Sequence, residues 1–233
     1  MIDFEYQVIR RQRRKTASIS VKPDGSVQVM VPATLSEQKI LELVNRKSLW
    51  IRGKIAEFKE IQGKSKEKEY VSGESFTYLG RNYRLKIVNS ETNDGVKLMN
   101  GRFYVPVPPD RPQKLHDKVV IDRLSTWYKQ HAVVRLREKT KRYASQMNVC
   151  PSFVGIKDYR SRWGGCSVDG SINYNWKIIV APHSIVDYVV VHELCHLVHD
   201  DHSNKFWKLL ETILPDYAER KEWLKVNGKG LGL

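Results

Sequence analysis

His192 and His196 stand four residues apart, with Glu193 directly after the first, in the segment "VVHELCHLVHDDHSNKFW" (190–207). On a helix that spacing is close to one turn, so both rings project from one face and can meet on a single divalent ion at about 2.0–2.1 Å per Zn–N bond. Glu193 then points beside the ion, where a carboxylate takes a proton from metal-bound water instead of ligating. The chemistry this pattern predicts is zinc-dependent hydrolysis, with Glu193 as general base and a peptide bond as the expected target.

A catalytic zinc ordinarily takes three protein ligands and keeps a fourth position open. His199 lies on the same helical face as His192 but, seven residues on, about 10 Å further along the axis. The helix must therefore stop and fold back, and Asp200-Asp201 can make that turn through side-chain to backbone hydrogen bonds. His202 is then placed to return toward the ion and is the preferred third ligand, ahead of Glu211 or Glu219, with His199 last. Cys195 falls off the ligand face and reads as a buried filler; Cys166 reads as structural; Asp200 and Asp201 read as turn residues or as partners of a ligand's second ring nitrogen. A tetrahedral oxyanion also needs a donor, for which Tyr188, Tyr174 and Arg162 are candidates.

The elements that must hold these residues follow from periodicity. Residues from Ile185 to Val198 are apolar on most sides, so the helix is predicted to be buried, with Ser184 and Asp187 as a capping box. Ser203 is expected to cap a following helix that packs through Phe206, Leu209, Leu210 and Ile213 and stops at Pro215. Asp216 and Glu219 start a last helix running to Asn227-Gly228. Upstream, Asp169-Gly170 joins two strands of a small antiparallel sheet spanning about 153 to 181. A helix is predicted over 112–147, with Val120, Leu124, Trp127, His131 and Val134 on one face and His131 a core-edge residue. Further back come a hairpin turning at Pro23-Asp24-Gly25, one long amphipathic helix from Ser36 that carries Ile40, Leu43, Val44, Ile51, Ile55 and Phe58, and two more strand pairs with glycine turns. The segment "QGKSKEKE" (62–69) is the best linker candidate. The predicted class is α+β, with a β-rich part carrying one long helix over 1–110 and the catalytic unit over 111–233.

The chain has 233 residues, a net charge of +14 and a pI near 9.6. Such charge attracts phosphates or acidic surfaces, and the basic stretches 10–15 and 135–142 suggest nucleic acid as a possible partner. A solvated strand and helix face explain the same residues, and no zinc knuckle or helix-turn-helix signature accompanies them. Three cysteines without a CxxC pair suit a reducing compartment, and no apolar run is long enough for a signal peptide or a membrane span. A cytoplasmic protein with no membrane partner is expected; the sequence fixes no oligomeric state.

The segments "SRWGGCS" (161–167), "INYNWKIIVAP" (172–182) and "VDYVVVHELCHLVHDDHSNKFW" (186–207), and more loosely "RRKTASISVKPDGSVQVMVP" (13–32) and "YLGRNYRL" (78–85), resemble the YgjP-like metal-dependent hydrolases. These are zincins similar in design to the SprT and WLM proteases. The resemblance covers nearly the whole chain and implies a zincin-like unit with zinc on His192, His196 and His202 and Glu193 as base. It departs at Gly165, where the family more often has serine. The histidine spacing also equals that of metzincins, which carry a methionine turn downstream; here all four methionines (1, 30, 99, 147) lie upstream, so that reading fails.

Overall fold

In a computed structural model of the chain, residues 3–22, 24–64, 68–91, 94–109 and 112–233 are described. The fold is mixed α+β with small sheets. It divides into two compact units, Met1–Glu67 and Lys68–Leu233. No described helix is long and apolar enough to cross a membrane.

The first unit comprises β1 (Tyr6–Arg11), β2 (Ser18–Val21), β3 (Val27–Pro32), α1 (Glu37–Arg46) and α2 (Ser48–Lys64). The expected hairpin is β2–β3, antiparallel; Pro23 of its turn lies outside the described residues. β3 is central because β1 pairs with it in parallel on the other side. Val27, Val29 and Val31 alternate inward, as a strand with one buried face requires, and meet Ile40, Val44 and Ile51. The single long helix expected from Ser36 is instead two, because the backbone leaves helical geometry at Lys47 (φ −99°, ψ 5°) and restarts at Ser48.

In the second unit β4 (Ser75–Tyr78), β5 (Arg81–Asn89), β6 (Lys97–Met99) and β7 (Arg102–Val107) form one sheet in the order β4-β5-β7-β6. Its hairpin turns, Leu79-Gly80 and Asn100-Gly101, have positive φ at both residues, the two-residue geometry that suits twisted strands. The boundary expected at 110/111 is therefore misplaced. Phe76, Leu85, Phe103 and Val105 of this sheet share one core with Leu124, Trp127 and Ile179, so the division falls instead at Glu67/Lys68, inside the linker candidate. Residues 65–67 of that linker lie outside the described residues.

α3 (Gln113–Met147) is the predicted long helix. Val120, Leu124 and Trp127 are buried as expected, whereas Val134 is 53 % exposed, the core face drifting to Tyr128, Ala132 and Leu136. His131 sits at the core edge, its ring stacked on Trp127 at 3.7 Å and its Nδ1 2.8 Å from the Trp127 carbonyl. Next come β8 (Phe153–Lys157), β9 (Gly164–Cys166) and β10 (Ser171–Asn175), in the order β8-β10-β9. β9 and β10 are the expected antiparallel pair, but β8 runs parallel to β10, and Trp176–Val180 is a 3-10 turn where a strand was expected.

That turn leads into α4 (His183–Cys195), followed by α5 (Asn204–Ile213) and α6 (Tyr217–Asn227). The β4–β5 turn anchors the approach to α4: Leu79 N–H donates to Ile179 O (2.8 Å) and Gly80 N–H to Val180 O (3.1 Å). A Cβ at position 80 would lie 2.8 Å from Pro182 Cα, which only glycine avoids. α4 is buried on nearly every side, including Val189, Val190 and Val191. Valine costs up to about 0.7 kcal/mol of helix propensity each, and its burial returns about 1.5–3 kcal/mol, so packing decides. The predicted capping box is absent: Pro182 occupies the N-cap, and Asp187 instead joins α4 to α3 through Lys139 (2.6 Å) and Arg142 (3.2 Å).

Candidate metal centre

α4 delivers His192, Glu193 and, at its C-cap, His196. Beyond it the backbone tightens, with Leu197 N–H closing on Leu194 O and Val198 N–H on Cys195 O. Asp201 then accepts from Ser203 N–H (3.2 Å), which makes the turn that brings His202 back. One ring nitrogen from each of His192, His196 and His202 lies within 4.8 Å of the others, a grouping that can hold a metal ion. His192 Nε2 and His202 Nε2 are 3.1 Å apart. Two ligands on a tetrahedral zinc stand about 3.3 Å apart, so the spacing fits. His199, Glu211, Glu219 and Cys195 contribute no atom to this group.

The protonation pattern fits a cation as well. His196 Nδ1 is 3.1 Å from His199 O, and a carbonyl can only accept, so Nδ1 carries the proton and Nε2 keeps its lone pair. Among the described residues His192 Nδ1 is buried with no hydrogen-bond partner, leaving Nε2, which faces another imidazole, as the ring's one engaged nitrogen. Burial, then the neighbouring His196 and His202 imidazoles, push His192 down to about 3; burial and His196 likewise lower His202. Both rings are therefore neutral bases at neutral pH, as ligands must be. Fully buried Phe206 of α5 lies against all three, with ring centroids 4.7–5.0 Å away.

Glu193 is 5 % exposed and lines a cleft of about 680 Å³ together with the three histidines, β9, Tyr188, Arg162 and Asp200. Burial raises its carboxyl to about 7, against the opposing pull of Arg162 and a hydrogen bond from the Cys166 backbone. Gly164 makes room for it: a Cβ there would lie 2.5 Å from Glu193 Oε1 and 2.7 Å from Cδ. The easiest relief is for the carboxylate to swing away. Gly164→Ala is accordingly expected to lower any turnover that depends on the Glu193 carboxylate at least about tenfold while metal binding persists. Equal turnover in steady-state assays of the two proteins would show that the carboxylate position is not critical.

Of the three oxyanion candidates, Tyr174 is excluded, since its hydroxyl is fully buried and sits 3.0 Å from Thr140 Oγ1. Tyr188 and Arg162 both line the cleft; burial raises Tyr188 to about 12, so its hydroxyl stays protonated and able to donate. Sequence reasoning missed the framework behind Arg162. Asn175, 4 % exposed, donates through Nδ2 to Tyr159 O (2.9 Å) and Arg162 O (3.2 Å) and fixes that loop. It also missed Gly164, although paired glycines inside a strand are a signal of close approach, and placed Cys166 as purely structural where it lines the cleft beside Glu193. Cys195 is fully buried, the filler expected of it.

A buried helix bearing H-E-x-x-H, a third imidazole returned beside the first two and a carboxylate at the cleft wall belong to the class of metal-dependent hydrolases. Within that class the chain belongs to the YgjP-like metallopeptidase family: the model of the YgjP-like metallopeptidase domain matches residues 15–227. Among solved structures, the metallopeptidase zymogen of Pyrococcus abyssi abylysin is similar, at 19 % identity and a TM-score of 0.36, over 40 % of this chain and 93 % of that one. No curated protein matches the chain.

Proposed function

We propose that this chain is a zinc-dependent peptidase in which His192, His196 and His202 hold the ion and Glu193 is the general base. The observation that carries the reading is the convergence of three imidazole nitrogens in a cleft that a buried carboxylate also lines. Zinc, when bound, supplies a Lewis acid for the scissile carbonyl and lowers the pKa of water toward about 7. Glu193, with a proton affinity near neutrality, takes the proton of the attacking water and returns it to the leaving amine. Tyr188 or Arg162 donates to the developing oxyanion.

β9 is an edge strand bearing two glycines on the cleft, and we place an extended peptide substrate alongside it by β-augmentation. The test is metal analysis coupled to peptide cleavage. The purified protein is expected to carry one zinc per chain, to lose cleavage on chelation and to regain it on adding zinc. A protein that takes up no zinc, or one that cleaves equally well after chelation, would end the proposal.

A further inference from the structure

Two of the three imidazoles belong to α4, whose burial fixes its backbone. His202 does not: it is exposed, lies in the segment between α4 and α5, and makes its one protein hydrogen bond among the described residues to His192 Nε2. A metal-ligating histidine is ordinarily oriented by a hydrogen bond to its other ring nitrogen, as His196 is through the His199 carbonyl. For His202 the neighbouring rings supply what that bond would.

Phe206 touches all three imidazoles and so favours none. Trp207 discriminates. Its ring stacks on His202 at 5.5 Å and 28°, while it meets His192 only obliquely, at 6.2 Å and 57°. Trp207 is in turn braced from α6, one helical turn supplying both contacts: Tyr217 stacks on it at 5.6 Å and 20°, and Lys221 Nζ lies 4.0 Å over it. An offset-stacked pair favours one relative orientation of its rings, which selects a single ring orientation for an imidazole on an exposed segment.

We propose that Trp207 is the positioning residue for His202, its indole, braced by Tyr217 and Lys221, holding the third imidazole in the orientation that joins His192 and His196. The inference rests on the metal reading of the three histidines. It places the stiffness of the centre in α6, which contributes no ligand.

The test uses the full chain, with zinc affinity measured by chelator competition and ligand geometry by the visible spectrum of the cobalt-substituted protein. Trp207→Ala is expected to weaken zinc binding about 10–100-fold, the range found when a ligand's supporting partner is removed, and to alter the cobalt spectrum. Trp207→Phe, which keeps a stacking ring, stays within about threefold of the parent. Trp207→Leu keeps apolar bulk without a ring and reproduces the weakening if the alanine variant is too unstable to purify. Leu209→Ala, on the same helix and packed against the core, controls for loss of stability and leaves affinity unchanged. Parent-like affinity in both ring-less variants, or equal weakening by Leu209→Ala, overturns the proposal. A parent protein that binds no zinc removes instead the metal reading beneath it.

Discussion

Glu193→Gln should keep one zinc per chain and lose peptide hydrolysis by about 10²–10⁴-fold, the usual contribution of a positioned general base. The substitution is nearly isosteric, so it fits the space that Gly164 leaves open and disturbs neither α4 nor the cluster. What it removes is the ability to accept a proton at a position where burial has raised the carboxyl to about 7. A simple packing role would predict little change in turnover, because the amide fills the same volume. Zinc content and kcat measured on the same preparation separate the two; turnover at the parent rate would strike Glu193 from the mechanism.

His202→Ala should weaken zinc binding by more than the roughly 100-fold upper range for losing a supporting partner, since it deletes a ligand and not its support. Two nitrogens on one helix turn would remain, and His192 Nε2 would lose the ring it faces at 3.1 Å. His202 is exposed, so the metal-free melting temperature should hardly move. This separation of affinity from stability distinguishes a ligand from a structural residue. Unchanged affinity would send the third ligand back to Glu211 or Glu219, although neither carboxylate belongs to the converging group.

The grouping of the three imidazoles was more legible in the sequence than the scaffold that carries it. The pairing of His192 with His196 is legible because a helix turn fixes the relation between those positions, and the approach of His202 is legible because a straight helix cannot bring position 199 to the same point. The parallel pairings were not legible. Hairpins announce themselves by glycine turns such as Asn100-Gly101, but β1–β3, β5–β7 and β8–β10 join strands that no tight turn connects, and nothing local marks them. The unit boundary failed for a related reason: Phe76 and Phe103 enter the core of α3 and α4 by tertiary packing alone. Asp187 illustrates the limit of local rules, for a residue that suits a capping box found a stronger partner in Lys139, 48 positions earlier in the chain. Gly164 and Trp207 act on the centre through a strand and a ring stack, so their roles emerge only once the chain is folded.

The bond from His196 Nδ1 to the carbonyl of residue 199 has a consequence for mutational tolerance. His199 is the most conspicuous spare ligand of the segment, yet only its main chain meets the three converging imidazoles, so most replacements of its side chain would leave the tautomer of His196 as it is. Proline stands apart, because the N–H of residue 199 closes on Cys195 O (2.9 Å) and its removal would redirect the very carbonyl on which the tautomer depends.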